Sequence, residues 1–273
     1  MTTPTYLMGR TEQETQRLMA ASRLLNPLTR RMLLDAGLAP GMRVLDVGTG
    51  AGDVALLAAD LVGPTGSVVA LDQNPDILQT AYARAQAAGL DHVAFVAGDA
   101  LEAELPGPFD AIIGRLVMMY IGDAAGALRR LSGLLAPGGI VAFQDFNFTP
   151  DSVRVTPHVQ LWHTAWGWMV ATAERAGIPA SAGFGLHRAM VDAGLPIPTM
   201  RLESIVETGP DAASYAWITD AIRSMLPLIE RFGVATAAEV DIDTLAERLR
   251  AETVAVDAVL KTPDVVSAWT RTP

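Results

Sequence analysis

The residues best placed to do chemistry are Asp46 and the small residues after it, in the run Val44-Leu45-Asp46-Val47-Gly48-Thr49-Gly50-Ala51-Gly52-Asp53. An apolar segment that ends in an acid, then turns on glycines, then starts a helix lets backbone come close to a flat polar ligand. Glycine has no Cβ and tolerates positive φ, so nothing stands between main chain and ligand. A second acid closes the next apolar run, Val68-Val69-Ala70-Leu71-Asp72. A carboxylate there can accept both hydroxyls of a ribose. Together the two acids and the glycines mark a nucleoside-containing cofactor at the top of a parallel α/β sheet.

The elements that must position these residues follow from periodicity and punctuation. Residues 11–25 read as a helix, with Thr11 as N-cap and Glu14 three residues on, broken by Pro27. A second helix is expected over 28–37, stopped by Gly37 and Pro40. Strands are expected at 43–47, 67–71, 93–97, 109–113 and 139–146. Between them lie helices at 53–62, from Pro75 to Gly89 behind an Asn74 cap, and at 123–135. This alternation predicts a parallel, doubly wound sheet. Beyond 149 the pattern changes. A helix within 150–180 carries Trp162, Trp166 and Trp168; another spans 183–193; a strand lies near 199–207; a helical stretch covers 210–260; and Val265 to Thr270 supply a last strand.

The dinucleotide fingerprint G-x-G-x-x-G fails here, because Asp53 stands where its third glycine should be. The spacing D-x-G-x-G-x-G resembles instead motif I of the class I S-adenosylmethionine-dependent methyltransferases. The resemblance runs on in order through Asp72, Gly98-Asp99-Ala100, Phe109-Asp110-Ala111-Ile112-Ile113 and the segment Leu134 to Phe143, covering residues 40 to 146. It implies a Rossmann-like, seven-stranded, mostly parallel sheet with an antiparallel last strand and helical lid insertions. It implies S-adenosylmethionine as cofactor and S-adenosylhomocysteine as product. Asp46, Gly48, Thr49, Gly50 and Gly52 would then surround the methionine part. Asp72 and Gln73 would bracket the ribose, and Asp99 and Ala100 would meet the adenine. Arg115 would stand where cofactor and acceptor meet, and Tyr6 and Arg10 would close on the cofactor's carboxylate. The chain divides on this reading into N-terminal lid helices (1–40), a cofactor-binding core (41–148) and a helical cap interleaved with the last strands (149–273).

Composition bounds the partners. The chain has 273 residues, half of them hydrophobic, and a formal charge of −10. Lys261 is its single lysine and no basic stripe appears, which argues against a nucleic-acid substrate. There is no cysteine, hence no thiolate nucleophile or cysteine zinc site, and no metal-ligand spacing is present. No apolar run is long enough to span a bilayer and no signal peptide is recognised, so a cytoplasmic enzyme without a membrane partner is expected.

Methyl transfer needs alignment and exclusion of water, and a base only when the nucleophile must lose a proton. Three residues are candidates for that base: His158 and His163 beside the lid tryptophans, and Asp145 at the end of the fifth strand. Each has an ordinary packing role as an equal alternative. The tryptophans can stack on an aromatic substrate or simply pack the lid. Nucleic-acid and protein amino methyltransferases often carry Asn/Asp-Pro-Pro-Tyr after strand four. Here Gly114-Arg115-Leu116-Val117 stands there. The expected activity is transfer to a small, largely apolar or aromatic metabolite, at oxygen, carbon or nitrogen, as in the bacterial quinone and natural-product enzymes. A homodimer is left open. Two alternatives also remain: a catalytically inactive cofactor-binding relative, and an NAD(P)-dependent oxidoreductase, which would lack its Tyr-x-x-x-Lys set.

Overall fold

A computed structural model describes the backbone of residues 12–273 and the side chains from residue 24 onward. Tyr6 and Arg10 lie outside the described residues. Seven strands form the main sheet in the order β3-β2-β1-β4-β5-β10-β7. They are β1 (Arg43–Val47), β2 (Ser67–Asp72), β3 (Val93–Ala97), β4 (Phe109–Arg115), β5 (Leu135–Phe146), β7 (Thr199–Glu203) and β10 (Val265–Arg271). β1 to β5 pair in parallel, while β10 runs antiparallel to both β5 and β7. The mostly parallel, doubly wound sheet with an antiparallel last strand is therefore as expected.

The central strands are buried on both faces, which is what their near-continuous Val, Ile and Ala runs require. On one side Ile140 and Ala142 of β5 pack with Met32 and Leu33 of α1 (Glu12–Ala36) and Ala55 and Ala58 of α2 (Asp53–Val62). On the other, Val141 and Phe143 pack with Leu128 of α4 (Ala124–Ser132) and Leu186 and Met190 of α6 (Ala182–Asp192). α3 (Pro75–Ala87) is capped by Asn74, whose side chain accepts from the Asp76 N–H, as its sequence announced.

Several boundaries differ from expectation. Pro27 does not end the first helix: α1 runs unbroken from Glu12 to Ala36. A proline forfeits one backbone hydrogen bond, but α1 is held on both sides of it. Leu25 and Leu28 enter an apolar core with Trp162 and Ile218, and Met32, Leu33 and Ala36 enter the sheet core. α4 ends at Ser132, and β5 starts at Leu135 rather than 139. Its Ala136-Pro137-Gly138-Gly139 segment loops out between the pairs Phe109↔Leu135 and Ala111↔Ile140, with Gly138 at φ +74°.

The expected 199–207 strand is two strands. β7 stays in the main sheet, and β8 (Val206–Thr208) joins a second, three-stranded sheet, β6-β9-β8, with β6 (Arg154–Thr156) and β9 (Val259–Lys261). The helix foreseen within 150–180 shortens to α5 (Gln160–Arg175). The stretch from 210 to 260 divides into α7 (Ser214–Arg231), α8 (Ala237–Val240) and α9 (Leu245–Ala255). α5, α7, α9 and the small sheet share one apolar core that Phe146 and Phe148 enter from the end of β5. No helix among the described residues is long and apolar enough to cross a membrane.

Candidate cofactor and acceptor site

β1 delivers Asp46 and Val47 to the carboxyl edge of the sheet, and the chain turns there on three glycines at positive φ: Gly48 (+68°), Gly50 (+53°) and Gly52 (+88°). Two of them are forced by packing. A Cβ on Gly48 would stand 2.5 Å from Val117 Cγ2, and one on Gly52 would stand 3.0 Å from the Ala81 Cβ of α3. A Cβ on Gly50 would meet nothing within 4 Å. The turn is thus tight where it touches protein and open where a ligand could lie.

Asp53, the residue that breaks the dinucleotide pattern, has a structural task. It opens α2, where a carboxylate favours the helix dipole, and pairs with Arg84 of α3 at 2.7 Å. Arg84 also donates to the Ala51 carbonyl, so one guanidinium staples the turn to α3. Nothing in the sequence links position 84 to position 53; only the packing of α3 on the turn does.

Asp46 is 1% exposed, and neither of its carboxylate oxygens has a hydrogen-bond partner among the described residues; the hydroxyl of buried Thr49 is likewise unpartnered. Burial pushes Asp46 up to about 7. The Thr49 hydroxyl and the Ala55 N–H, both short of hydrogen-bond geometry, and the Arg115 guanidinium draw it down, and the Asp72 charge adds to the rise. An acid left bare inside a protein costs roughly 1–3 kcal/mol or more. Bare acceptors under an open glycine turn fit a ligand that brings N–H groups or positive charge, as the ammonium and sulfonium of S-adenosylmethionine do.

Asp72 accepts from the Gly50 N–H at 2.8 Å and the Asn74 N–H at 2.9 Å, and so shapes the turn as well as facing the site. Its two oxygens retain lone pairs for ribose hydroxyls. Gln73 donates to Asp99 at 2.7 Å, and Asp99 also accepts from the Leu101 N–H, which brings the ribose and adenine candidates into one side-chain contact; Ala100 is buried beside them.

Arg115, at the end of β4, is half-buried and turned toward α1. It donates to Asn26 Oδ1 at 3.0 Å and Thr29 Oγ1 at 2.9 Å. Thr29 bonds Gln144 Oε1 at 2.7 Å, and Gln144 donates to Ser267 at 2.8 Å, so a chain of polar groups crosses from α1 through β5 to β10. Burial lowers the Arg115 pKa, opposed by Asp53 and Asp46. No spacing or residue pattern announces this network.

The third candidate region is the end of β5. Asp145 is 1% exposed; its Oδ2 accepts from the Met119 N–H at 3.1 Å, and its Oδ1 has no partner among the described residues. Burial raises it to about 8, while the Met119 and Val117 backbones pull it down. The two lid histidines are elsewhere. His158, exposed before α5, stacks on His163 with ring centroids 4.3 Å apart and planes 10° apart, and contacts Gln160. Burial and then the neighbouring His158 charge lower His163. Trp162 and Trp166 are buried and spend their N–H groups on Thr253 and the Thr149 carbonyl, while Trp168 packs partly buried against the cap core. All three tryptophans are thus packing residues in this structure. Among the described residues no group of three or more acids and histidines could hold a metal.

A family model described as a methyltransferase domain matches residues 38–199, more than half of the chain. The chain therefore belongs to the methyltransferase domain family, a class of S-adenosylmethionine-dependent enzymes, as the order of its motifs implied. Among curated proteins it is 31% identical over 154 residues to the aklanonic acid methyltransferase DauC of Streptomyces sp. (strain C5), covering 52% of this chain and 69% of that protein. It is 33% identical over 153 residues to the 2-phytyl-1,4-naphtoquinone methyltransferase of Synechococcus elongatus, covering 55% of this chain and 65% of that one. The matches thus span about two thirds of those relatives. The crystal structure of a putative methyltransferase from Bacillus halodurans shares the fold over 90% of this chain and 98% of its own, with a TM-score of 0.59 at 17% identity.

Proposed function

We propose that this protein transfers a methyl group to a hydroxylated, largely apolar ring system of the natural-product or quinone kind. The observation that carries the reading is the bare, buried Asp46–Thr49 cradle beneath the open Gly50 turn, in a chain whose relatives are named for aklanonic acid and a naphtoquinone. S-adenosylmethionine, when bound, supplies an activated methyl on sulfur. Asp46, Thr49 and the Gly48–Gly52 backbone would hold its methionine part, Asp72 and Gln73 its ribose, and Asp99 and Ala100 its adenine. Arg115, anchored by Asn26 and Thr29, would set the charge beside Asp46.

Asp145 is the candidate proton acceptor best supported by position, since it lies at the carboxyl edge of β5 where α/β sheets bind ligands. His158 and His163 contact each other at the start of α5, which favours a surface role for them. The division into a lid of residues 1–40, a core of 41–148 and a cap of 149–273 is part of the same proposal.

The test is transfer of radiolabelled methyl from S-adenosylmethionine to a panel of naphthalenediols, hydroxyanthraquinones, phenols and indoles. Label in a hydroxylated fused-ring acceptor supports the reading. Tight cofactor binding with no label in any acceptor of the panel overturns it.

A further inference from the structure

Two unsatisfied polar groups lie close in sequence at the end of β5. Asp145 Oδ1 and Asn147 Nδ2 are each buried, in residues 1% exposed, and each is without a partner among the described residues. They stand two positions apart. The Asn147 N–H still bonds the Asp264 carbonyl at 3.0 Å, so the extended course of β5 continues past Phe146 and the two side chains project to the same face. Their other ends are fixed. Asp145 Oδ2 accepts from the Met119 N–H, and Asn147 Oδ1 accepts from the Phe184 N–H of α6 at 3.3 Å. That second bond orients the amide and leaves its N–H groups as the free end. Gly183 lets α6 pack close against β5 beside the pair, because a Cβ there would stand 2.9 Å from the Asp145 carbonyl oxygen.

One of the two groups is therefore an acceptor and the other a donor. Leaving either unpaired costs roughly 1–3 kcal/mol, and both sit at the ligand-binding edge of the sheet. We propose that Asp145 and Asn147 form a two-point clamp for a hydroxyl oxygen of the acceptor, with the Asn147 Nδ2–H donating to that oxygen and Asp145 Oδ1 receiving its proton. The proton would pass from acceptor oxygen to carboxylate, and the electron pair it leaves on oxygen would form the new bond to the methyl carbon while the sulfur–methyl bond of bound S-adenosylmethionine breaks, its pair staying on sulfur as S-adenosylhomocysteine. Asn147 is in this role a specificity residue: it reads oxygen, and a ring bearing only an ether lacks the proton that Asp145 needs. The clamp rests on the acceptor class proposed above and narrows it to free hydroxyls.

The probes are 1,4-naphthalenediol and its dimethyl ether, titrated anaerobically by calorimetry into protein saturated with S-adenosylhomocysteine. The diol should bind about tenfold tighter than the ether, the worth of one well-placed charged hydrogen bond. Asn147→Asp keeps the bond to Phe184 but removes the donor, and Asp145→Asn is isosteric. Each should bring the two ligands within about threefold of one another while the affinity for S-adenosylhomocysteine moves by less than about twofold. Equal binding of diol and ether to the wild type, including no binding of either, overturns the clamp. So does discrimination that survives in both variants, which would mean that the pair holds only a structural water. Label transferred to acceptors of the panel without that discrimination sinks the clamp alone; failure to bind S-adenosylhomocysteine sinks the proposed function and the clamp with it.

Discussion

Asp46 and Asp145 end β1 and β5, two strands separated in the sheet only by β4, and both carboxyls are buried and pushed far above the ordinary range. Their surroundings differ. Asp46 faces a glycine turn with space above Gly50, a guanidinium on one side and a second acid on the other, and both of its oxygens are bare among the described residues. Asp145 lies under a 3-10 turn, Met118–Tyr120, and α6, with one oxygen tied to backbone and one without a partner among the described residues. The first arrangement suits a cationic, flat ligand laid against main chain. The second suits one atom of a neutral ligand. Two acids with raised pKa, one fold, and two tasks set by what surrounds each is a familiar pattern in enzyme sites.

The largest effect that would break this contrast is on the β1 side. Asp72→Ala removes the acceptor for the Gly50 and Asn74 N–H groups as well as the ribose acceptor, so cofactor affinity should fall about 100-fold or more, two to three charged hydrogen bonds. Calorimetry reads it, and unchanged affinity would contradict the cradle. On the β5 side, Asp145→Asn should leave cofactor binding intact and slow methyl transfer about 100-fold, the usual worth of a positioned base. Its loss should also abolish a rise in rate with pH through about 8. His163→Ala should slow transfer far less; the reverse order would move the base to the cap.

Stability should separate the two acids next. Both titrate near pH 4 when unfolded and higher when folded, so the folded protein holds more protons between those values. Their contribution to stability is whole below about pH 4 and is lost as pH rises through about 7 for Asp46 and about 8 for Asp145. The melting temperature should fall over that range. Asp46→Asn should reduce the slope between about pH 4 and 7 only, Asp145→Asn should reduce it there and remove it between about 7 and 8, and a single variant that removed the whole slope would deny that the sites are independent. The smallest effect is at the staple. Arg84→Met should cost about 1–2 kcal/mol in urea unfolding, since Arg84 keeps partial exposure and solvent screens its pair with Asp53.

The same two regions show what could be read in advance. The β1 edge is local: acid, glycines and helix start fall within eight residues, and each glycine is required by backbone geometry that leaves a mark in sequence. Asn74 and Pro75 announced their helix for the same reason. The β5 edge and the cap are built from distant pieces. The small sheet pairs Arg154 with Lys261 and Val206 with Lys261 through three-residue strands too short to show a period. Pro27 looked like a break because its cost is local, while the burial that offsets it comes from two separate cores. Asn147, Arg84 and the Thr29–Gln144–Ser267 chain carry no pattern of their own; their roles arise only when the strands and helices are assembled.

The central claim is that the β1 edge is a cradle for S-adenosylmethionine. Its most direct test is calorimetric titration of the wild-type protein with S-adenosylmethionine and S-adenosylhomocysteine, with NAD as control. Micromolar binding of both sulfur compounds and none of NAD is the predicted result. Binding of NAD, or of none of the three, would contradict the account.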